Sequence, residues 1–332
     1  MKTNNDIYII AEVGVNHNGS EEIAYELIDL ASQAGADAVK FQMFYPEKLC
    51  SKKHRKEEIE MLNKYVVSLE ELRKFRDYAY SLGLDFIVTP FDFRSLEEVA
   101  SLNCSAIKIA SGELTHIPFL IKAASYGQKI IISTGAANIC DIERAVQAIK
   151  SVNNKKISIL HCTSTYPTPN NYVNIKAINT LQKHFYDCKI GFSDHSLGNI
   201  ADILAVSAGS KIIEKHITLD NTLEGPDHKA SSARADFIAM VKNIRVAQSM
   251  LGDGEKVPQP CETKIGRSIV AKTKLNKGQI LTEDDVDFKR PGYGLRPYEL
   301  NNIIGLKLIR DIEEDELIQL EDFIKEGELN GK

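Results

Sequence analysis

Several kinds of run are missing from this sequence, and each absence removes a class of function. No window approaches the ~18–20 consecutive apolar residues of a membrane-spanning helix, so no membrane partner is expected. The start, MKTNNDIYIIAEVG, has an apolar run that is short and ends in a glutamate, so it does not read as a cleavable signal. There is no long basic run. KKHRK at 52–56 is followed at once by acidic residues and reads as a solvated face; with a formal net charge of −5, nothing points to nucleic acid. Six cysteines (50, 104, 140, 162, 188, 261) form no CxxC pair, and they read as reduced core thiols of a cytoplasmic protein rather than disulfides or a zinc site. GVNHNG at 14–19 lacks the GxGxxG spacing, which argues against a dinucleotide site.

What remains is an ordinary globular composition, 43% hydrophobic and 26% charged over 332 residues, with ample apolar material for a core. Eight segments rich in Ile, Val and Phe read as strands: 7–14, 38–44, 85–91, 106–111, 129–135, 157–163, 189–196 and 211–219. Helical patterns such as EEIAYELIDLASQAGA and SLEELRKFRDYAYSLG lie between them, several ending in glycine. Strand alternating with helix means a parallel sheet, and eight such units in about 250 residues fit an α/β fold of the (β/α)8 TIM-barrel type. The pattern changes after LGDG. We read 1–252 as the barrel, 253–266 as a linker and 267–332 as a small β-rich domain with short strands, KG turns and one short helix.

A barrel carries its catalytic groups at the C-terminal ends of its strands. Seven of the eight strands have polar residues there: Glu12; Lys40 and Gln42; Thr89; Lys108, then Ser111 and Glu113; Ser133; Ser193, Asp194 and His195; Glu214 and His216. The sixth offers none. Residues two apart share a face, so Lys40 points with Gln42, Ser193 with His195, and Glu214 with His216, while Lys215 turns away toward a helix or solvent. Lysines with Ser111 and Ser133 make a cationic, hydroxyl-lined pocket suited to a phosphate or carboxylate. Two imidazoles near carboxylates suit a divalent metal acting as a Lewis acid. The loops EGPDHKASS (224–232) and CTSTYPTP (162–169) add Asp227, His228 and Tyr166.

IAEVGVNHNG, GADAVKFQMF, VTPFD, IKIASGE, IISTG, CTSTYPTP, GFSDHS, EKHITLD and GPDHKAS, in this order, resemble the sialic acid synthase family, and KRPGYG continues the match into the small domain. That domain resembles the family's antifreeze-like SAF domain. The resemblance implies a metal-dependent condensation of phosphoenolpyruvate with an N-acylated mannosamine-type sugar, N-acetylmannosamine first and 2,4-diacetamido-2,4,6-trideoxymannose as the alternative. It implies Mn²⁺ (or Mg²⁺ or Co²⁺) on His195 and His216, and phosphoenolpyruvate on Lys40, Lys108, Thr89, Ser111, Ser133 and Ser193. Glu12 and Glu214 then flank the reacting carbons, and Gln42, Glu113, Tyr166 and Asp227 face the acceptor. Arg290 reaches the N-acyl group from the partner subunit of a domain-swapped homodimer. The segment YPEKLCSKKHRKEEIEMLNKY is shorter than in many relatives, whose longer insertion shapes the acceptor side, so the resemblance leaves the exact sugar open between those two acceptors.

Overall fold

The computed structural model of the protein describes residues 7–262 and 265–323. The chain divides into two units, Met1–Asp253 and Gly254–Lys332. In the first, eight parallel strands close into a barrel in sequence order: β1 (Tyr8–Gly14), β2 (Ala38–Met43), β3 (Asp85–Pro90), β4 (Ala106–Ile109), β5 (Ile130–Ser133), β6 (Ile157–Cys162), β7 (Lys189–Asp194) and β8 (Ile212–His216), with β8 pairing back onto β1. This is the expected (β/α)8 architecture, with each strand inside its sequence-predicted segment. The helices between them are α1 (Glu21–Ala34), α2 (Pro46–Leu49), α3 (Lys56–Leu62), α4 (Leu69–Ser81), α5 (Phe93–Ser101), α6 (Ile117–Ser125), α7 (Ile139–Lys150), α8 (Lys176–His184) and α9 (Ile200–Ser207), and α10 (Arg234–Met250) follows β8. Their ends follow local chemistry. Ser68 caps α4 in a reciprocal box with Glu71, and Gly35 ends α1 at φ 78, where a side chain would be strained.

Side-chain alternation sorts the strands into two cores. Ile9, Val39, Phe86, Ile107, Ile132, Ile159, Phe192 and Ile213 face outward onto the helices. Ile10, Ala38, Ile87, Ala106, Ile131, Leu160 and Ile212 face inward and fill the barrel, with Tyr8 beneath them donating to Asp85 at 2.6 Å. Strand β7 contributes Gly191 to this layer. A Cβ there would lie 2.5 Å from Ile212 O and 2.6 Å from Leu160 Cδ2, so only hydrogen fits.

The second unit pairs β9 (Ser268–Ala271) with β10 (Val286–Lys289) antiparallel around a core that includes Ile269, Leu281, Ile303, Ile312 and Ile318. The short helix expected here is a 3₁₀ turn, Pro297–Asn302, opened by a proline. The cysteines are all free, but only Cys104 and Cys162 are buried; Cys140 and Cys261 are exposed and Cys50 and Cys188 half-buried. The core reading therefore fails for four of the six, which sit at helix or loop surfaces. KKHRK is fully exposed, as read, with Lys52, Arg55 and Lys56 pairing with Glu47, Glu58 and Glu60. No helix among the described residues is long and apolar enough to cross a membrane.

Candidate active site

Two residues beyond each member of the inward layer, every strand carries a reactive or hydrogen-bonding group. Glu12 follows Ile10, Lys40 follows Ala38, Thr89 follows Ile87, and Lys108 follows Ala106. Ser133, Cys162, Ser193 and Glu214 follow Ile131, Leu160, Gly191 and Ile212. All eight are buried, and all line one cavity of about 420 Å³. Strand six, read as empty, thus supplies Cys162. Its Sγ accepts from Ser111 Oγ at 3.6 Å and lies 3.8 Å from His195 Nδ1. The period that locates the other seven locates it too, although a cysteine at that position reads as a core thiol.

The layer is an interlocked set of charges. Lys40 Nζ lies 2.8 Å from Glu12 Oε2 and donates to Thr89 Oγ1 at 3.0 Å, while Gln42 donates to Glu12 Oε1 at 2.9 Å. Lys108 donates to Ser133 Oγ at 2.6 Å. Glu214 Oε1 stands 3.8 Å from Lys40 Nζ and 3.7 Å from Lys108 Nζ, and accepts the Ser193 hydroxyl at 3.0 Å. Burial alone would lift the Glu214 pKa, but the two ammonium groups and the Ser193 hydroxyl outweigh it and hold it down to about 2. At Glu12 burial wins and, with the Glu214 charge beside it, raises the carboxyl above its ordinary range. Burial would lower Lys40, but Glu12 and Glu214 raise it; Lys108 has less carboxylate contact, and burial lowers it. The pocket expected to be cationic thus holds carboxyl groups as well: Lys40 and Lys108 face Glu12 and Glu214.

One step nearer the mouth are His195 and His216, their ring centroids 5.4 Å apart. The Thr163 carbonyl, 2.9 Å from His195 Nδ1, selects the tautomer with the proton on that nitrogen and leaves Nε2 its lone pair. His216 Nδ1 is buried without a hydrogen-bond partner, 3.8 Å from Asp227 Oδ2. Burial, against the pull of Asp227, lowers His216 to about 4, so its ring is neutral at neutral pH. Glu214 Oε2 is also buried and unpartnered. These atoms, two lone-pair nitrogens with carboxylates alongside, fit a hard or borderline divalent ion with open positions. Among the described residues no group of three or more His, Cys, Asp or Glu is arranged to hold a metal ion, so the protein would offer an ion here two imidazoles at most.

Loops complete the mouth. Tyr166 lies with its ring 4.1 Å from that of His195 and edge-on to His216. Asp227 is aimed by the β8 loop: Ser231 Oγ donates to Asp227 O at 2.7 Å, and the fully buried His228 sits between Thr218 Oγ1 and Asn18 Oδ1. Ser111 accepts from Gly135 N at 3.0 Å. The segment between β2 and α4 contributes Met61 and Leu62, which with Val15 and Phe91 form an apolar wall that the residues alone do not reveal, and the carboxylate of Glu58 lines the same cavity. One expected residue lines a different cavity: Glu113 opens on a neighbouring one with Lys48, Arg94 and His116. Arg290 is an exposed residue of the second unit. Asp194 faces away from the cavity, toward Lys215.

The chain matches the model of the NeuB family over residues 27–256 and that of the SAF domain over 266–324. An uncharacterized protein of Methanocaldococcus jannaschii is 43% identical over 96% of this chain and 94% of its own length. The N,N'-diacetyllegionaminic acid synthase of Legionella pneumophila is 39% identical over 91% of this chain and 90% of its own. Among solved structures, the N-acetylneuraminic acid (sialic acid) synthetase of Leptospira borgpetersenii in complex with citrate has a TM-score of 0.74 and 35% identity, covering 78% of this chain and 90% of that one.

Proposed function

The chain belongs to the NeuB family, whose members are synthases of sialic-acid-like sugars, and we propose that it is a transferase condensing phosphoenolpyruvate with an N-acylated mannosamine-type sugar. The product is a nine-carbon 2-keto sugar acid plus phosphate. One observation carries this reading: Lys40 and Lys108 converge on Glu214 at the floor of a buried cavity. A small molecule with two anionic groups and a carbon that becomes cationic needs both signs of charge at one spot.

Lys40 and Lys108, with Thr89, Ser111, Ser133 and Ser193, bind the phosphate and carboxylate of phosphoenolpyruvate and orient its C3 toward the acceptor. Mn²⁺, Mg²⁺ or Co²⁺ would be held by His195 and His216, and when bound it supplies Lewis-acid polarisation of the acceptor's aldehyde oxygen. The enol C3 attacks the aldehyde carbon and the new C–C bond leaves positive charge at C2. Glu214 and Glu12 meet that charge, and one of them takes the proton of the water that adds to C2. The tetrahedral intermediate then loses phosphate by C–O cleavage. Gln42, Tyr166 and Asp227 border the space for the acceptor. Glu113 is kept as an acceptor contact, reached through its neighbouring cavity. Arg290 reaches the N-acyl group from the partner subunit of a domain-swapped homodimer, in the cytoplasm where free thiols persist.

N-acetylmannosamine is the first acceptor to consider. A specific observation favours a second reading, 2,4-diacetamido-2,4,6-trideoxymannose: the wall of Val15, Met61, Leu62 and Phe91 suits a 6-deoxy methyl and a second acetamido methyl better than hydroxyls. The test incubates the protein with phosphoenolpyruvate, Mn²⁺ and each sugar and reads product by mass. Preference for the trideoxy sugar is the expected result; preference for N-acetylmannosamine returns the assignment to a neuraminate synthase. No product from either sinks the acceptor class.

A further inference from the structure

Lys215 stands between Glu214 and His216 in the sequence, on the opposite face of β8, and the reaction above makes no use of it. Its side chain is 1% exposed. The ammonium has three N–H donors, and all three go to one stretch of chain: Asp194 Oδ2 at the end of β7, Ser196 O at 2.6 Å and Gly198 O at 3.0 Å. Asp194 Oδ1 in turn accepts Ser196 N–H at 2.8 Å. Asp202 of α9 lies 3.6 Å from the ammonium. Burial and the Asp194 carboxylate hold Asp202 well above the usual carboxylate range, against the pull of the Lys215 ammonium.

A buried ion pair is a weak source of stability, since apolar residues of the same volume often do as well. An apolar residue cannot grip three points of a loop. The gripped stretch, residues 194–198, has His195 inside it and Ser193 just before it. The opposite side of the same Lys215 backbone carries Glu214 and His216. One strand thus supplies two groups of the site and fastens the neighbouring strand's groups against them.

We propose that Lys215 is a positioning residue, a clamp that sets the backbone of 194–198 and so the separation of His195 from His216. The proposal rests on the reading of those histidines as site residues. It is tested with Lys215→Met and with Lys215→Met combined with Asp194→Asn, which removes both buried charges while Asn keeps the Oδ1 acceptor for Ser196. Three quantities are measured: the ring cross-peak of His195 in ¹³C-histidine-labelled protein, assigned by its loss in His195→Gln; Mn²⁺ affinity by electron paramagnetic resonance; and kcat with KM. The double variant is expected to unfold near the wild-type temperature. Yet its His195 peak moves, its Mn²⁺ Kd rises about tenfold or more and kcat falls comparably, with KM for phosphoenolpyruvate nearly unchanged. If Lys215→Met alone fails to fold, the double variant carries the test. Recovery of the His195 peak and kcat together with stability overturns the clamp and leaves a structural ion pair. If the wild type makes no product and binds no Mn²⁺, the functional reading fails, and the His195 peak still decides the clamp by itself.

Discussion

At the scale of single residues, Glu214 is the group whose environment is most fully committed. Two ammonium groups and a hydroxyl keep it charged, so its role is electrostatic and should not survive neutralisation. Glu214→Gln is isosteric and keeps an acceptor for Ser193; we expect kcat to fall by about 10²–10³-fold in a steady-state assay, with thermal stability retained. Full activity would remove Glu214 from the mechanism. His17 makes a different prediction. Its Nδ1 accepts Gly19 N–H at 3.0 Å and its Nε2 is buried without a partner, so protonation would break a bond and bury a charge. Burial lowers it to about 4. A base depressed in the folded state is protonated first in the unfolded chain. Stability is therefore whole above the unfolded pKa of ~6.5 and declines as pH falls from there toward about 4. Between pH 7 and pH 5 this group alone should cost roughly 2 kcal/mol. Urea unfolding at the two pH values should show at least that loss, since His216 is lowered to about 4 as well, and His17→Asn should reduce the total by roughly the His17 share of about 2 kcal/mol.

At the scale of elements, the barrel rests on strict alternation, and β7 is where it is tightest. Gly191→Ala would place a methyl against Ile212 O and Leu160, and we expect about 1–3 kcal/mol of destabilisation, read as a lowered unfolding temperature. The same alternation made the strands readable. A small or branched apolar residue at n and a functional group at n+2 is a period that needs no tertiary knowledge, which is why Glu12, Lys40, Lys108 and Glu214 are legible in the chain alone. Legibility stops where the period stops. Glu113 lies in the 3₁₀ turn Ser111–Glu113 beyond β4, where side chains no longer alternate between two faces, and it opens on another cavity. Met61 and Leu62 come from α3, whose placement over the mouth depends on close approaches such as that of Gly19 to Lys64 O, where a Cβ would lie at 2.6 Å. Lys215 could be seen to turn outward, but its partners Asp194 and Asp202 are set by the packing of β7 and α9, not by spacing along one strand. Cys162 was legible by position and missed by residue type.

At the scale of the whole molecule, the two units have separate cores, and Arg290 lies in the one without the cavity. If each mouth is served by its partner's Arg290, chains bearing Arg290→Ala and chains bearing His216→Ala should be nearly inactive alone. Mixed, they should recover about one quarter of wild-type activity, because half the dimers are hybrids and each hybrid has one intact site. No recovery with hybrids verified would place Arg290 outside the site. The inward layer of Ile10, Ile87, Ile131, Leu160 and Ile212 has a further consequence. It makes the cavity a dead end, and a dead end imposes a queue. On the proposed reaction, phosphoenolpyruvate on Lys40 and Lys108 would lie beneath a sugar resting on Tyr166 and the α3 wall, so the small anion is expected to load first and the sugar to close it in. Isotope trapping reads that order directly. Labelled phosphoenolpyruvate bound before a chase of unlabelled compound and sugar should be carried into product, whereas labelled sugar bound first should be lost to the solvent.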